Sequence, residues 1–515
     1  MSTHVLEQLV EGRNYINGEF VTYRRGVEGG DFATEEYHNI NPATGESLGV
    51  FPESTQDEVL TAVNHAKVAA TAWRNTSRVK RAEYFSRIAQ LLEMRKHEFA
   101  RVISLETGKN YNESIAEVNE AIHMAEFAFG SGRTPTGDIV ASELAEKDSY
   151  MVRKPKGVVA IVSPFNFPLA IGPFWCAAPA LVEGNTVVIK PSEDAPWSTQ
   201  LAAELFRDAA VPPGVLNVVH GGGKAGDMLV RAGVDHICFT GSAEVGMHIR
   251  KVAAESWHKT TSCEMGSKSA CIVFDDADID MAVDAAIASA FKLSGQRCVS
   301  SGRMIVQRGV YDEFCEKFAA KASELKTGNP FNEDGKPNGD HYYGPIVNRQ
   351  GFEKVSKYND MVMKDPLAEV VLTPVRLLTD EDVYCLTPMV YKVEWRGADA
   401  PYLRQEVFGP HVALIPFDTV EDGVRIYNDT DYGLAVGILT NNYRTARYCR
   451  DNCDTGMCYW NGGSIAAESH LSFGGVKKSG NGFPSAAKTW LAVTHTMSWT
   501  VNHGEELAFP QGMTK

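Results

Sequence analysis

Val158-Val-Ala-Ile-Val-Ser-Pro164-Phe165-Asn166-Phe-Pro168 is the stretch on which the fold turns. Its opening run of five apolar, mostly β-branched residues is too short for a helix and shows no polar alternation, the pattern of a strand buried on both faces. A turn bracketed by two prolines ends it. The pattern recurs at Thr186–Ile189, Leu216–Val219 and His236–Thr240 with helix-like stretches between, which predicts a parallel sheet with crossover helices. Such sheets bind ligands at the carboxyl ends of their strands. Those ends carry Pro164–Pro168, Lys190-Pro-Ser192-Glu193, Gly221-Gly-Gly223 and Gly241-Ser242.

Toward the amino end, Asn14–Val50 predicts a hairpin region, and helical periodicity then runs from Thr55 to Gly130. Thr134–Arg153 loses that period and ends in strand formers, as a protruding arm would. After Glu264-Met-Gly-Ser-Lys268 a second alternation begins, with strands expected at Ala270–Phe274, Met304–Gln307, Val370–Leu372, Met389–Val393, Val412–Pro416, Ala435–Thr440 and Met457–Trp460. This is a second α/β lobe. The tail Leu491–Asn502 is rich in strand formers and lies beyond both lobes; an unpaired strand seeks a partner, so it is expected to join subunits.

A chain of 515 residues is too long for one compact core and predicts two or three lobes. No apolar run approaches the roughly 18 residues needed to span a bilayer, which argues against a membrane role. A net charge of −15 without a basic cluster argues against a nucleic-acid partner. The ten cysteines form no CxxC pair and describe no metal site, so they read as reduced thiols. Met1–Gln8 has neither a secretory nor a transit pattern, and the expected location is cytoplasmic.

One cysteine invites a chemical reading. Leu293-Ser-Gly-Gln-Arg-Cys298-Val-Ser300-Ser301-Gly302 is a small polar loop between a helical run and a β-branched run. Only a thiolate attacks carbon readily, so Cys298 serves as a nucleophile only with an activating base or cation nearby. Read alone it is more often a core cysteine.

In order along the chain stand Pro-Phe-Asn-Phe-Pro, Lys-Pro-Ser-Glu, Phe239-Thr-Gly-Ser242, Glu264-Met-Gly-Ser-Lys, Gly-Gln-Arg-Cys298, Glu406-Val-Phe408-Gly-Pro and Phe473-Gly-Gly-Val-Lys-Lys-Ser-Gly480. Together they resemble the aldehyde dehydrogenase superfamily, over about Ile16 to Gly504, with a leaning toward its semialdehyde-oxidising branches. The resemblance implies an α/β fold: a Rossmann-type parallel-sheet lobe for the cofactor (1–133 and 154–265), an α/β catalytic lobe (266–485) and a small β oligomerisation arm (134–153 and 486–515). It implies NAD-dependent oxidation of an aldehyde to the acid through a cysteine thiohemiacetal and a thioester. Cys298 would be the nucleophile, the Asn166 amide and the Cys298 N–H the oxyanion donors, and Glu264 the base that activates water. Pro164, Phe165, Lys190, Ser192, Glu193, Gly223, Phe239, Gly241, Ser242, Glu406 and Phe408 would line the cofactor. The partner is a small aldehyde, and the assembly a homodimer or homotetramer.

Several positions also carry a physical argument of their own. Glu193 would accept from ribose hydroxyls and repel a 2′-phosphate, which favours NAD over NADP. Ser192 reads as the cap of the helix that follows. Phe239–Gly246 follows a strand and opens a helix whose N-terminus suits a pyrophosphate. Ser300, Ser301, Gly463 and Ser464 offer hydroxyl and backbone donors to the distal carboxylate of a semialdehyde, or simply let loops pack. Two departures from the family pattern stand out: Ser267 replaces a glycine and fits with φ below zero or at the cost of modest strain, and Gly480–Pro484 lacks the glutamate of a second proton route. A cofactor-independent cysteine hydrolase or thioesterase and a CoA-acylating enzyme remain as alternatives.

Overall fold

The computed structural model describes residues 9–21, 35–377, 383–507, 509 and 511. Met1–Gln8, read above for a targeting signal, lies outside them, as does the carboxyl end of the expected arm.

The first sheet runs, edge to edge, Gly480–Asn481, Thr260–Glu264, His236–Thr240, Val158–Val162, Thr186–Lys190, Leu216–Val218, Asn14–Ile16 and Glu19–Val21. Its five central strands are parallel, and both flanks are antiparallel. The four strands expected from apolar runs are there. Thr260–Glu264 and Gly480–Asn481 escaped the pattern because polar residues dominate them, while the other flank is the hairpin expected at the start of Asn14–Val50. In Thr186–Lys190 and His236–Thr240 every residue is buried, each large aliphatic chain contributing about 1.5–3 kcal/mol by leaving water. The hairpin Asn14–Ile16/Glu19–Val21 turns through Asn17 and Gly18, both at positive φ (54° and 88°), which is how an Asn-Gly pair closes a two-residue loop.

The second sheet is ordered Glu369–Leu372, Met389–Lys392, His411–Phe417, Arg303–Gln307, Ala270–Val273, Ala435–Leu439 and Met457–Trp460. It is parallel except at its first pair. All seven expected strands are present. Because Arg303–Gln307 pairs with Ala270–Val273, the Cys298 loop sits at the amino ends of two central strands, facing the carboxyl ends of the first sheet.

A third, antiparallel sheet is ordered Thr494–Asn502, Lys147–Pro155 and Gly137–Val140. The tail strand is therefore not unpaired within the chain: it runs in register from Thr494 opposite Pro155 to Asn502 opposite Lys147. This corrects the expectation that the tail must find another subunit to be paired at all. Its outer edge and that of Gly137–Val140 remain open, and Ile139 and Trp499 are exposed there at 84% and 53%.

Ser192 does not cap the following helix, Pro196–Asp208, which begins four residues later. Its hydroxyl accepts from Asp194 N at 3.3 Å. The helix N-terminus is satisfied instead by the buried carboxylate of Glu106, which accepts from Trp197 N at 2.6 Å and Ser198 N at 2.8 Å.

Candidate active site

Three consecutive left-handed residues, Leu293, Ser294 and Gly295 (φ 52°, 55° and 72°), turn the chain sharply after the helix Ile279–Phe291. Two non-glycines in that region carry strain, which persists only where surroundings hold it. Here Leu293 N donates to Glu113 Oε2 at 3.2 Å and Ser294 Oγ to Gly344 O at 2.5 Å. The Gln296 carboxamide accepts from Val347 N at 3.0 Å. A β-carbon on Gly295 would lie 2.3 Å from Gly409 O, so this glycine is required by close approach. The result presents Cys298 half-buried at the junction of the two lobes.

Glu264 ends its strand buried, with one carboxyl oxygen lacking any hydrogen-bond partner, and lies close enough to Cys298 for each to shift the other's proton affinity. Burial, opposed by the Cys298 thiol and reinforced by the Glu406 charge, holds Glu264 well above the usual carboxylate range. Burial and the Glu264 and Glu406 charges push the Cys298 thiol well up in turn. In the free protein both shifts favour the neutral thiol over the thiolate.

Asn166 lies buried in the turn after Val158–Val162, its Nδ2 donating to Gln296 O at 2.9 Å. The opposite flip would set two carbonyl oxygens together, so the amide's NH₂ faces the cysteine loop, with a second N–H still to give. Lys109 Nζ donates to Asn166 O at 2.6 Å and to Glu117 Oε2 at 2.6 Å, and both charged side chains are buried. Glu117 Oε1 accepts from Leu169 N and Ala170 N at 2.9 and 3.1 Å, at the start of the π-helical segment Ala170–Cys176, which contains Pro173. Glu113 pairs with Arg297 at 2.6 Å, and both cations stand over the Phe167 ring.

Ser267 takes the glycine position without positive φ, and its hydroxyl donates to Cys298 O. Its N–H donates to Glu406 Oε1 at 2.8 Å. Ser479 binds the same segment from the Phe-Gly-Gly motif, donating from Oγ to Gly266 O at 2.9 Å and accepting from Met265 N at 2.8 Å. Ser267, Ser300, Glu406 and Phe408 border one cleft, where Phe408 (φ 63°) meets Phe165 edge to face at 6.1 Å.

A family model described as the aldehyde dehydrogenase family matches residues 30–499. The chain belongs to that family. It is 34% identical to the alpha-ketoglutaric semialdehyde dehydrogenase of Bacillus subtilis (strain 168), over 90% of this chain and 93% of that protein. It is 36% identical to the mitochondrial succinate-semialdehyde dehydrogenase of Oryza sativa subsp. japonica, over 86% and 82%. Among solved structures, betaine aldehyde dehydrogenase from Staphylococcus aureus in complex with NAD+ superposes with a TM-score of 0.89 at 27% identity, covering 100% of this chain and 99% of that one.

An aldehyde dehydrogenase acts on aldehydes as an oxidoreductase and uses a nicotinamide dinucleotide, and the residues along the first sheet fit that group. Strand order sets Glu264, Gly241–Ser242, Pro164–Asn166, Lys190–Glu193 and Gly221–Gly223 side by side at the carboxyl ends. Ser242 caps the helix Ala243–Ala254, accepting from Val245 N at 3.3 Å. Glu193 is half exposed beside buried Lys190 (3.4 Å). Glu406 lies 3.9 Å from Lys354, a cation the sequence reading missed because it sits far off in the helix Arg349–Met363, away from any strand end. Gly223 opens its helix with free space around its α-carbon. Phe239 differs from expectation: it is buried and packs under Gly241 and Gly246, so it supports the turn rather than lining it.

The proposed substrate serines also differ. Ser301 and Ser464 are buried, their hydroxyls bonded to each other at 2.8 Å, and Ser464 Oγ donates to Val299 O at 2.6 Å. A β-carbon on Gly463 would lie 2.2 Å from Ser289 Oγ. Ser301 and Ser464 fasten the cysteine loop from behind and spend their hydroxyls there, which corrects their assignment to a distal carboxylate, while half-buried Gly463 packs closely on Ser289. Ser300 faces the cleft with its hydroxyl unpartnered. His411, at the back of that cleft, has both ring nitrogens engaged, by Asn359 and Tyr391, and so cannot serve as the base of a cofactor-free hydrolase. Among the described residues no helix is long and apolar enough to cross a membrane, and no cluster of side chains suits a metal.

Proposed function

We propose that this chain oxidises a small aldehyde to the carboxylic acid with NAD, in the cytoplasm, using Cys298, Glu264 and Asn166. The convergence of the buried Glu264 carboxyl and the Asn166 amide on the loop of Cys298 carries the reading. The sulphur adds to the aldehyde carbon as its proton passes to the Glu264 carboxylate and on to solvent, and the carbonyl oxygen becomes an alkoxide held by the second N–H of Asn166 and the Cys298 N–H. A dinucleotide, when bound, supplies the acceptor for the aldehyde hydrogen as hydride, which turns the adduct on Cys298 into a thioester. Glu264 then takes a proton from water, whose oxygen adds to the thioester carbon, and the C–S bond breaks with the electrons on sulphur. Burial raises the proton affinity of the Glu264 carboxyl, which strengthens it as a base once ionised.

For the cofactor, Lys190 and Glu193 would take the adenosine ribose, Gly241 and Ser242 the pyrophosphate, and Glu406 with Phe408 the nicotinamide end. The carboxylate of Glu193 supports NAD over NADP. Residues 1–133 and 154–265 would form the cofactor lobe, 266–485 the catalytic lobe, and 134–153 with 486–515 an arm whose open, apolar edges suit a homodimer or homotetramer.

Because its relatives are named for semialdehydes, ω-carboxylated semialdehydes should be compared with aliphatic aldehydes, following NADH and NADPH absorbance separately. Reduction of NAD by an aldehyde, abolished in Cys298→Ser, is the expected result. Ester hydrolysis without NAD, or turnover only with CoA present, would overturn it.

A further inference from the structure

We propose that Glu53 is a second determinant of dinucleotide choice, acting with Glu193 to exclude a 2′-phosphate. The inference rests on the NAD reading above and concerns a residue outside the motifs that suggested it. Glu53 follows the strand Ser47–Pro52 of the small amino-terminal sheet, where its own N–H donates to Glu35 O at 2.7 Å and the next N–H to His220 O at 3.1 Å. Fixed there, its carboxylate reaches across to the helix Gly223–Arg231. Oε2 accepts from Gly222 N at 2.7 Å and Oε1 from Ala225 N at 3.3 Å.

A helix N-terminus of this kind normally offers its N–H groups and partial positive charge to an anion. Here a built-in carboxylate already occupies it. Glu193 faces the same point from the neighbouring strand end: a β-carbon on Gly222 would lie 3.6 Å from Glu53 Oε2 and 3.7 Å from Glu193 Oε1. The two carboxylates thus border one gap, at the place proposed for the adenosine ribose.

The cations on these elements do not cancel them. Lys190 Nζ is held by Gly221 O at 2.8 Å and by Glu193, and Lys224 pairs with Glu35 at 3.5 Å on the exposed side. Two negative charges against one inward cation leave the gap negative. A ribose with two hydroxyls donates into such a site, whereas a 2′-phosphate of charge near −2 meets repulsion from both sides and finds the helix donors taken.

The test is direct binding of NAD and NADP without aldehyde, by calorimetry on the full chain, for the wild type, Glu53→Gln, Glu193→Gln and the double variant. The Kd ratio of NADP to NAD is expected to be well above one in the wild type, to fall about tenfold in Glu53→Gln, and to fall further in the double variant. Glu53→Asp, which keeps the charge, should hold the wild-type ratio more nearly than Glu53→Gln does. If Glu53→Gln melts, Glu53→Ser is the second neutral variant, a short acceptor suited to a helix start. A wild-type ratio near one overturns the NAD reading and this inference with it. A high wild-type ratio unmoved by both neutral variants, yet reduced by Glu193→Gln, overturns this inference alone.

Discussion

The ammonium of Lys109 donates at 2.6 Å to the main-chain carbonyl of Asn166, the residue whose side-chain amide binds the loop of Cys298. A buried cation thereby fixes the proposed oxyanion donor from behind. Removing one partner of a buried ion pair leaves the other charge uncompensated, at a cost of roughly 3–5 kcal/mol. Lys109→Met should therefore lower both the melting temperature and kcat. Adding Glu117→Gln should restore much of the stability but little of kcat, because the hydrogen bond to Asn166 stays lost. Equal recovery of both in melting and steady-state measurements would show that Lys109 matters only for folding.

Glu264 raises the proton affinity of the Cys298 thiol, while the thiol lowers that of the carboxyl, so neutralising Glu264 should release the thiol. Glu264→Gln is expected to speed iodoacetamide alkylation of Cys298 at pH 8 by severalfold while slowing steady NADH formation. Slower alkylation in the variant would mean that the carboxylate already deprotonates the thiol in the free protein.

The Ser301–Ser464 pair supports the loop from within, so Ser464→Ala should lower kcat and stability by the amount of one or two buried hydrogen bonds, about 1–3 kcal/mol. The preference between carboxylated and uncharged aldehydes should not change. A selective rise in KM for the carboxylated substrate would return these hydroxyls to the substrate site.

Burial pushes the Glu106 carboxyl up to about 8, against the lowering effect of three donors. A folded value above the unfolded one means the native state binds the extra proton, so stability from this group falls as pH rises from about 4.5 to about 8. The slope is at most about 1.4 kcal/mol per pH unit. Glu120, raised to about 7, acts in the same sense. Glu106→Gln should flatten the dependence of melting temperature on pH across that window. An unchanged slope would assign it to other groups.

How far the chain could be read before folding differs by element. Most strands of both sheets were legible because burial on two faces leaves continuous apolar runs, and the strand-end rule then pointed to Asn166, Glu193 and Gly241 before any contact was known, whereas Glu264 came from the resemblance alone. Lys109 and Glu117 were not legible. Glu113, Glu117 and Glu120 stand at helical spacing in Tyr111–Ser131, and acidic residues spaced so ordinarily mark the solvated side of a helix. The one signal against that was Met124, which continues the same stripe and is fully buried.

Local pattern alone established the strand runs, the placement of polar turns at their ends, and one cysteine among ten with a loop fit for chemistry. Whether a charge is buried, which carbonyl an ammonium meets, and which way a hydroxyl points depend on segments distant in sequence. Lys109 is 57 residues from Asn166, and Glu53 is 169 from Gly222. Tertiary structure decided those, because side-chain pairing follows from which surfaces pack together, and neither periodicity nor spacing along the chain records it.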